Sequence, residues 1–354
     1  MTQSTLNRLP KLALIAITAI LAACQTTPPK PVVVEQPKPQ APAPAPDNSA
    51  ELARNASFQE LVGMQDRLYR VAAPLLLNNV SLCQPRAFLL GFTARNKYSY
   101  SGEFVDSAAK ILGLGDQLQI IGVMPGSGAA SVGLKNGDKL VAIGDVQLPQ
   151  GPSAEMQAHG VLASLLPEKT SIAMTINRSG QDSTMQVPLT HMCAFGMELG
   201  NAETVNAYAD GHRVLLTRGM LKDFSSDDDL AFVIAGEMAR NTLNHQNKLH
   251  TTGTMSANIE NLSHVHPELD KLTQAKAPGE EFDLAADKRA LYMLARAKYP
   301  FENYAQFWTR ISAQGNPADA YAVQHPLTPR RSAAITRVIA EIKGKQAAKK
   351  PIQP

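Results

Sequence analysis

A chain of 354 residues with 44% hydrophobic side chains has room for two ordinary domains with real cores, which excludes wholesale disorder. The formal net charge of +3 is small, and the basic residues are scattered apart from a Lys-rich stretch around Lys343 to Lys350, so no nucleic-acid footprint is present. That stretch, with residues 344–354 as its bulk, reads as a solvated, frayed basic tail.

At the other end, Arg8 and Lys11 precede an apolar run, Leu12 to Ala23, which is too short to span a bilayer stably. The layout reads as an export signal over residues 1–23, with an uncleaved anchor as the alternative. Its ending, Leu21-Ala22-Ala23-Cys24, resembles the box of bacterial lipoproteins. The resemblance implies lipid on Cys24 and membrane attachment through that lipid. Because Gln25 rather than Asp follows, it also implies an outer-membrane lipoprotein of the cell envelope that faces the periplasm. Residues 24–50, rich in Pro, Ala, Lys and Gln, read as an extended tether with reach but no core.

Residues 51–87 form the next segment. Phe58, Leu61, Val62, Leu68 and Val71 recur at helical spacing, predicting an amphipathic helix over Phe58 to Ala73 that Pro74 ends or kinks. With Cys24 assigned to lipid, Cys83 and Cys193 remain as an even pair in an oxidising compartment, which predicts a disulfide; two separate buried thiols are the alternative. A bridge there would pinch together the ends of an inserted segment, residues 88–191. On the chain-entropy model it is worth roughly 4 to 5 kcal/mol.

Within that segment the pattern becomes strand-like. Residues 117–148 read as strand, Gly/Pro/Ser turn, short Ala-rich helix, Gly-punctuated loop and strand, and residues 170–190 as a hairpin turning at Ser179-Gly180. Pro125-Gly126-Ser127 with Ala129-Ala130, then Gly133-Leu134 and Gly137-Asp138, closely resemble the signature of PDZ domains of the bacterial envelope-protease type. The resemblance implies that a peptide end adds as a strand to a sheet edge, its carboxylate held by backbone amides of a Gly-containing loop. Leu90, Gly91 and Phe92 are the candidate loop; a Gly serving only as a turn and the Gly113-Leu114-Gly115 stretch are the alternatives.

Residues 192–343 turn helical. Ser226, three acids and the apolar Leu230, Val233, Ile234 and Met238 predict a capped helix regardless of function, weakened by Gly236 at about 1 kcal/mol relative to Ala. Around it, residues 205–221, Asp283 to Leu291 and the His325-Pro326 stretch up to Arg331 resemble the gluzincin metallopeptidases of the HtpX and CAAX-prenyl-protease type. That family carries His-Glu-x-x-His on a helix, two histidines binding zinc and the Glu activating water. The resemblance implies an α+β fold: a mainly helical peptidase domain with a small edge sheet, interrupted by the β-rich PDZ domain. It places Glu237 at the catalytic Glu, Asp287 at the second-helix Asp, His325 beside the reacting carbonyl, and Arg331 in support. Residues 205–221 match the family's Asn-Ala strand leading to the edge strand above the active site, with His212 in that edge-strand region.

The former ligand positions hold Gly236, Arg240 and Asp283. Gly236 offers no side chain and Arg240 does not deprotonate, so the expected metal set is none and the expected cofactor is none. The guanidinium of Arg240 is expected where a metal would stand, pairing with Asp283 and Glu237. An exposed Glu237–Arg240 pair on a solvated face is the alternative, and His245, His264 and His266 are substitute ligands under a zinc-dependent endopeptidase reading. Leu291, Leu294, Phe307, Trp308 and Ile311 read as core. The chain as a whole reads as a non-catalytic, metallopeptidase-like envelope protein. Its partners are expected to be peptide segments or C-terminal tails of envelope proteins, and not nucleic acid. A PDZ module recruiting partners on a merely scaffolding body is a further alternative.

Overall fold

The computed structural model describes residues 48–84, 86–166, 169–243, 279–313 and 320–354. The expected signal, Cys24 and most of the tether, together with His245, His264 and His266, lie outside the described residues. The first helix, α1, runs Ser49–Asn78 and so takes in the last two positions assigned to the tether. It also runs straight through Pro74, where an end or kink is expected. Proline removes one N–H from the ladder. Burial of Leu68, Val71, Ala72, Leu75 and Leu76 offsets that loss, and the Asn78 amide donates to the Pro74 carbonyl at 2.8 Å.

A β-rich module follows. Its strands are β1 (Arg86–Leu89), β2 (Phe92–Arg95), β3 (Gln119–Val123), β4 (Lys139–Ile143), β5 (Val146–Gln147), β6 (Ser171–Arg178), β7 (Gln181–Pro188) and β8 (Thr190–Cys193). Helices α2 (Val105–Leu112), α3 (Gly128–Ser131) and α4 (Ala154–Leu165) lie between them. The main sheet has the order β2-β3-β4-β6-β7, with β5 paired to β4. Strand β6 buries Ile172, Met174 and Ile176 and leaves the residues between them less covered, as period-two alternation over a one-sided core requires. The turn to β7 has positive φ at Ser179 (55°) and Gly180 (85°), the primed geometry that matches strand twist.

The module is tied at its base. Strands β1 and β8 pair antiparallel from Arg86↔Cys193 to Leu89↔Thr190. The expected Cys83–Cys193 disulfide is formed, with the two Cα atoms 5.5 Å apart. The chain therefore enters and leaves the module through one short ladder closed by a covalent bond.

Beyond it come β9 (Gly196–Gly200), β10 (Ala207–Ala209), β11 (Arg213–Thr217), α5 (Arg218–Asp223), α6 (Asp227–Thr242), α7 (Glu280–Arg296), α8 (Tyr304–Ala313), α9 (Ala320–Gln324) and α10 (Pro329–Ala347). Strand β11, expected at an edge, is the middle strand of three, antiparallel to β10 and parallel to β9. Val214, Leu215 and Leu216 are buried there, and a strand so covered finds partners on both sides. His212 is exposed in the turn before it. Helices α1, α6, α7 and α8 share the main core, in which Leu291, Leu294, Phe307, Trp308 and Ile311 are all buried. The C-terminal stretch is not a frayed tail. Helix α10 buries Ile342, Ile352 packs on the main core, and the Ile352 and Gln353 carbonyls accept from Arg296 (3.2 Å) and Lys345 (2.6 Å). One apolar side chain and two anchored carbonyls are enough to dock it. Among the described residues, no helix is long and apolar enough to cross a membrane.

Candidate functional site

Helix α6 begins where the Ser226 hydroxyl accepts from the Asp229 N–H, and every residue from Leu230 to Asn241 is buried. An interior helix puts its polar side chains into the protein, so Glu237 and Arg240 are not an exposed pair: they are 2% and 6% exposed. The guanidinium of Arg240 stands at the centre of the cluster. Its Nη1 donates to Glu237 Oε1 at 2.5 Å and approaches the Tyr321 hydroxyl at 3.4 Å. Its Nη2 donates to Asp283 Oδ1 at 2.8 Å and lies 3.0 Å from His325 Nδ1.

His325 Nδ1 is also 2.9 Å from Asp283 Oδ1. A carboxylate only accepts, so the proton on the imidazole belongs on Nδ1, aimed at Asp283, and the contact to Arg240 is then packing rather than a bond. Burial and the adjacent Arg240 charge lower the His325 pKa, which keeps the ring neutral. Burial by itself would raise Asp283, but the His325 hydrogen bond and the charges of Arg240 and Arg331 outweigh it and hold the carboxyl at about 2. Desolvation opposes the Arg240 charge, yet Glu237 and Asp283 beside it leave its pKa well above the ordinary value.

Gly236 explains how the cluster packs. A Cβ there would lie 3.3 Å from the Tyr321 hydroxyl and 3.4 Å from Arg240 Nη1. The space a histidine ring would need is taken by those two groups. Zinc does not fit this residue set: Gly236 has no side chain, Arg240 is a fixed cation bonded to Glu237 and Asp283, and among the described residues no three His, Cys, Asp or Glu side chains form a group that could hold a metal.

A second charged cluster abuts the first. Arg331 grips Asp287 with Nε–Oδ2 at 2.6 Å and Nη2–Oδ1 at 2.9 Å, while the Tyr304 hydroxyl donates to the same carboxylate at 2.8 Å. Arg331 Nη1 also donates to the His325 carbonyl at 2.5 Å, and its guanidinium lies 3.7 Å from the centre of the Trp308 ring. Trp308 in turn stacks on Tyr321 at 5.6 Å. Thus Glu237, Arg240, Asp283, Asp287, His325 and Arg331 come together as one buried network. Sequence reasoning missed Tyr321 and Tyr304. For Tyr321 a signal existed: it precedes His325 by four residues, one helical turn, and the His325 N–H does bond the Tyr321 carbonyl at 3.1 Å.

Leu90, Gly91 and Phe92 lie elsewhere, on a cavity of about 910 Å³. Among the described residues strand β2 pairs only with β3, which leaves its other edge facing this cavity. Gly91 has φ of +80°, and a Cβ there would sit 2.3 Å from Ser127 Cβ. Its carbonyl accepts from the Met124 N–H (2.9 Å) and the Ser127 hydroxyl (3.1 Å), which fixes the loop against the Pro-Gly-Ser turn. Gly113, by contrast, is the left-handed C-cap of α2 and does not line the cavity. Helix α4 and its C-cap form one flank through His159, Leu162 and Leu166; α1 forms the other through Asp66, Tyr69 and Arg70.

Comparison with known families places residues 170–339 in a match to the model of peptidase family M48. The match runs from β6 into α10, just under half of the chain, and includes every member of the buried network. It supports the M48 metallopeptidase family and a metallopeptidase-like fold for this part. No curated protein matches the chain.

Proposed function

We propose that the protein is a non-catalytic relative of the M48 peptidases, an envelope lipoprotein whose PDZ-like module binds peptide ends of other envelope proteins. One observation carries the loss of catalysis: the Arg240 guanidinium is bonded to Glu237 and Asp283 and packed against His325. A water-activating carboxylate needs a free lone pair and a Lewis acid beside it. Here Glu237 Oε1 instead receives a hydrogen bond of 2.5 Å from a cation that does not release its proton.

The peptide-binding half is supported by the open edge of β2, the Gly91 loop and the apolar flank of α4, the parts that strand addition requires. Export and lipid attachment follow from residues 1–24 and agree with the disulfide, which persists in oxidising compartments.

Purified protein should carry substoichiometric zinc and leave an unfolded casein-type substrate uncut, with or without a chelator. Stoichiometric zinc lost on Asp283→Ala, together with cleavage that a chelator abolishes, would overturn the reading and favour an unorthodox zinc endopeptidase.

A further inference from the structure

The groove beside β2 has a wall that its own module does not supply. Along β3, Ile120 is buried in the module core that α4 covers, whereas the next residue, Ile121, packs with Phe58 and Leu61 of α1. Helices α4 and α1 therefore lie on opposite faces of the sheet, and both reach past its β2 edge to line the cavity. Successive side chains of a strand point to opposite faces. A chain added to β2 would send one alternate set toward α4 and the other toward α1.

The charges on α1 are unequal. Arg67 and Arg70 both pair with Asp227, at 2.8 and 2.5 Å. Asp66 is exposed and borders the cavity with no ion-pair partner among the described residues. Toward the Gly91 loop the α1 wall becomes apolar through Ala73 and Leu76, and Met192 and Phe195 line the same cavity. A free C-terminus seated at the loop would lay apolar final residues against that part, and its upstream side chains on the α1 side would reach Asp66.

We propose that α1 is a second specificity wall: the groove takes the C-terminal end of a partner protein, apolar at its last residues, with a Lys or Arg at an upstream position facing Asp66. The proposal rests on the peptide-binding reading above and adds the charge of the partner to it.

Fluorescence anisotropy on the full chain tests it, with labelled ten-residue peptides ending in Leu-Val. Lys or Glu is placed in turn at the third to seventh residue from the end, and each peptide is made with a free or an amidated terminus. The expected result is that Lys binds about three- to fivefold tighter than Glu at alternate positions only. Asp66→Asn should collapse that ratio toward one, and Asp66→Lys should invert it; circular dichroism checks that both variants fold. Binding that needs the free carboxylate but treats Lys and Glu alike at every position overturns the α1 wall and leaves peptide binding intact. Equal binding of acid and amide, or no binding at all, overturns the peptide-binding reading and this proposal with it.

Discussion

Replacing Arg240 with Met removes the cation at the centre of the buried network while keeping a long, flexible side chain of comparable reach. Glu237 and Asp283, at 2% and 1% exposure, then lose hydrogen bonds of 2.5 and 2.8 Å in a site closed to bulk solvent. Removing one partner of a buried charge pair costs about 3–5 kcal/mol, mostly the penalty of stranding the other charge. For a fold of this size that is a fall in Tm of about 6–15 °C at pH 7.

The pH dependence makes the test specific. In the native protein Asp283 is held at about 2, below its ordinary 3.8, so the unfolded chain binds its proton first. The stability this contributes is fully present above about pH 4 and is lost as pH falls toward 2. Without Arg240 the burial that opposes ionisation loses a main counterweight, the folded pKa rises, and ionised Asp283 becomes a cost at neutral pH that acid relieves. Thermal melts by circular dichroism from pH 8 to pH 4 should therefore show the gap between native protein and Arg240→Met narrowing as pH falls. An Arg240→Met protein as stable as the native one, or a gap that is constant or widens with acid, would refute the assignment of Arg240 as the counter-charge.

Three further outcomes follow from the same structure. Because burial and Arg240 lower the His325 pKa from 6.5, the unfolded chain protonates first below that value and the native protein should lose stability as pH falls below about 6.5. His325→Asn, which keeps a donor for Asp283, should flatten that part of a urea-melt profile; an unchanged slope would show that His325 does not cause it. The Cys83→Ser/Cys193→Ser double variant should lose up to about 4–5 kcal/mol in urea denaturation, since the bridge closes a separation of 110 residues. Denaturation that matches the native protein under non-reducing conditions would rule out the bridge as a stabilising link. Gly91→Ala places a Cβ 2.3 Å from Ser127 Cβ at φ +80° and should cost roughly 1–3 kcal/mol and weaken carboxylate-dependent peptide binding. Unaltered anisotropy titrations would remove the loop from the groove.

Much of this was legible in the residues themselves. The Ser226 cap, the Ser179-Gly180 turn and the Pro-Gly-Ser stretch are local signals, each decided by a few neighbouring side chains. Even the lack of a zinc ligand at positions 236 and 240 is a local fact, because Gly236 has no side chain and Arg240 stays charged wherever it lies. What local signals cannot fix is the cost of a local defect when distant burial offsets it. Pro74 sits inside a continuous helix because Leu68, Val71 and Leu75 are buried by segments far along the chain. The Lys-rich end is docked because Ile352 finds the main core and Arg296 finds its carbonyl.

The charged network divides the same way. Sequence named Glu237, Arg240, Asp283, Asp287, His325 and Arg331, but not Tyr321, whose hydroxyl fills the space above Gly236. It expected a buried Glu237–Arg240 pair and left a solvated one open as the alternative, since spacing of three residues is identical in both. Only the packing of α7, α8 and α9 around α6 decided between them, by excluding the water that would have screened those charges. The residue types were thus set by the sequence, and the strength of their interactions by tertiary burial, because the same charges attract weakly in water and strongly where protein has replaced it.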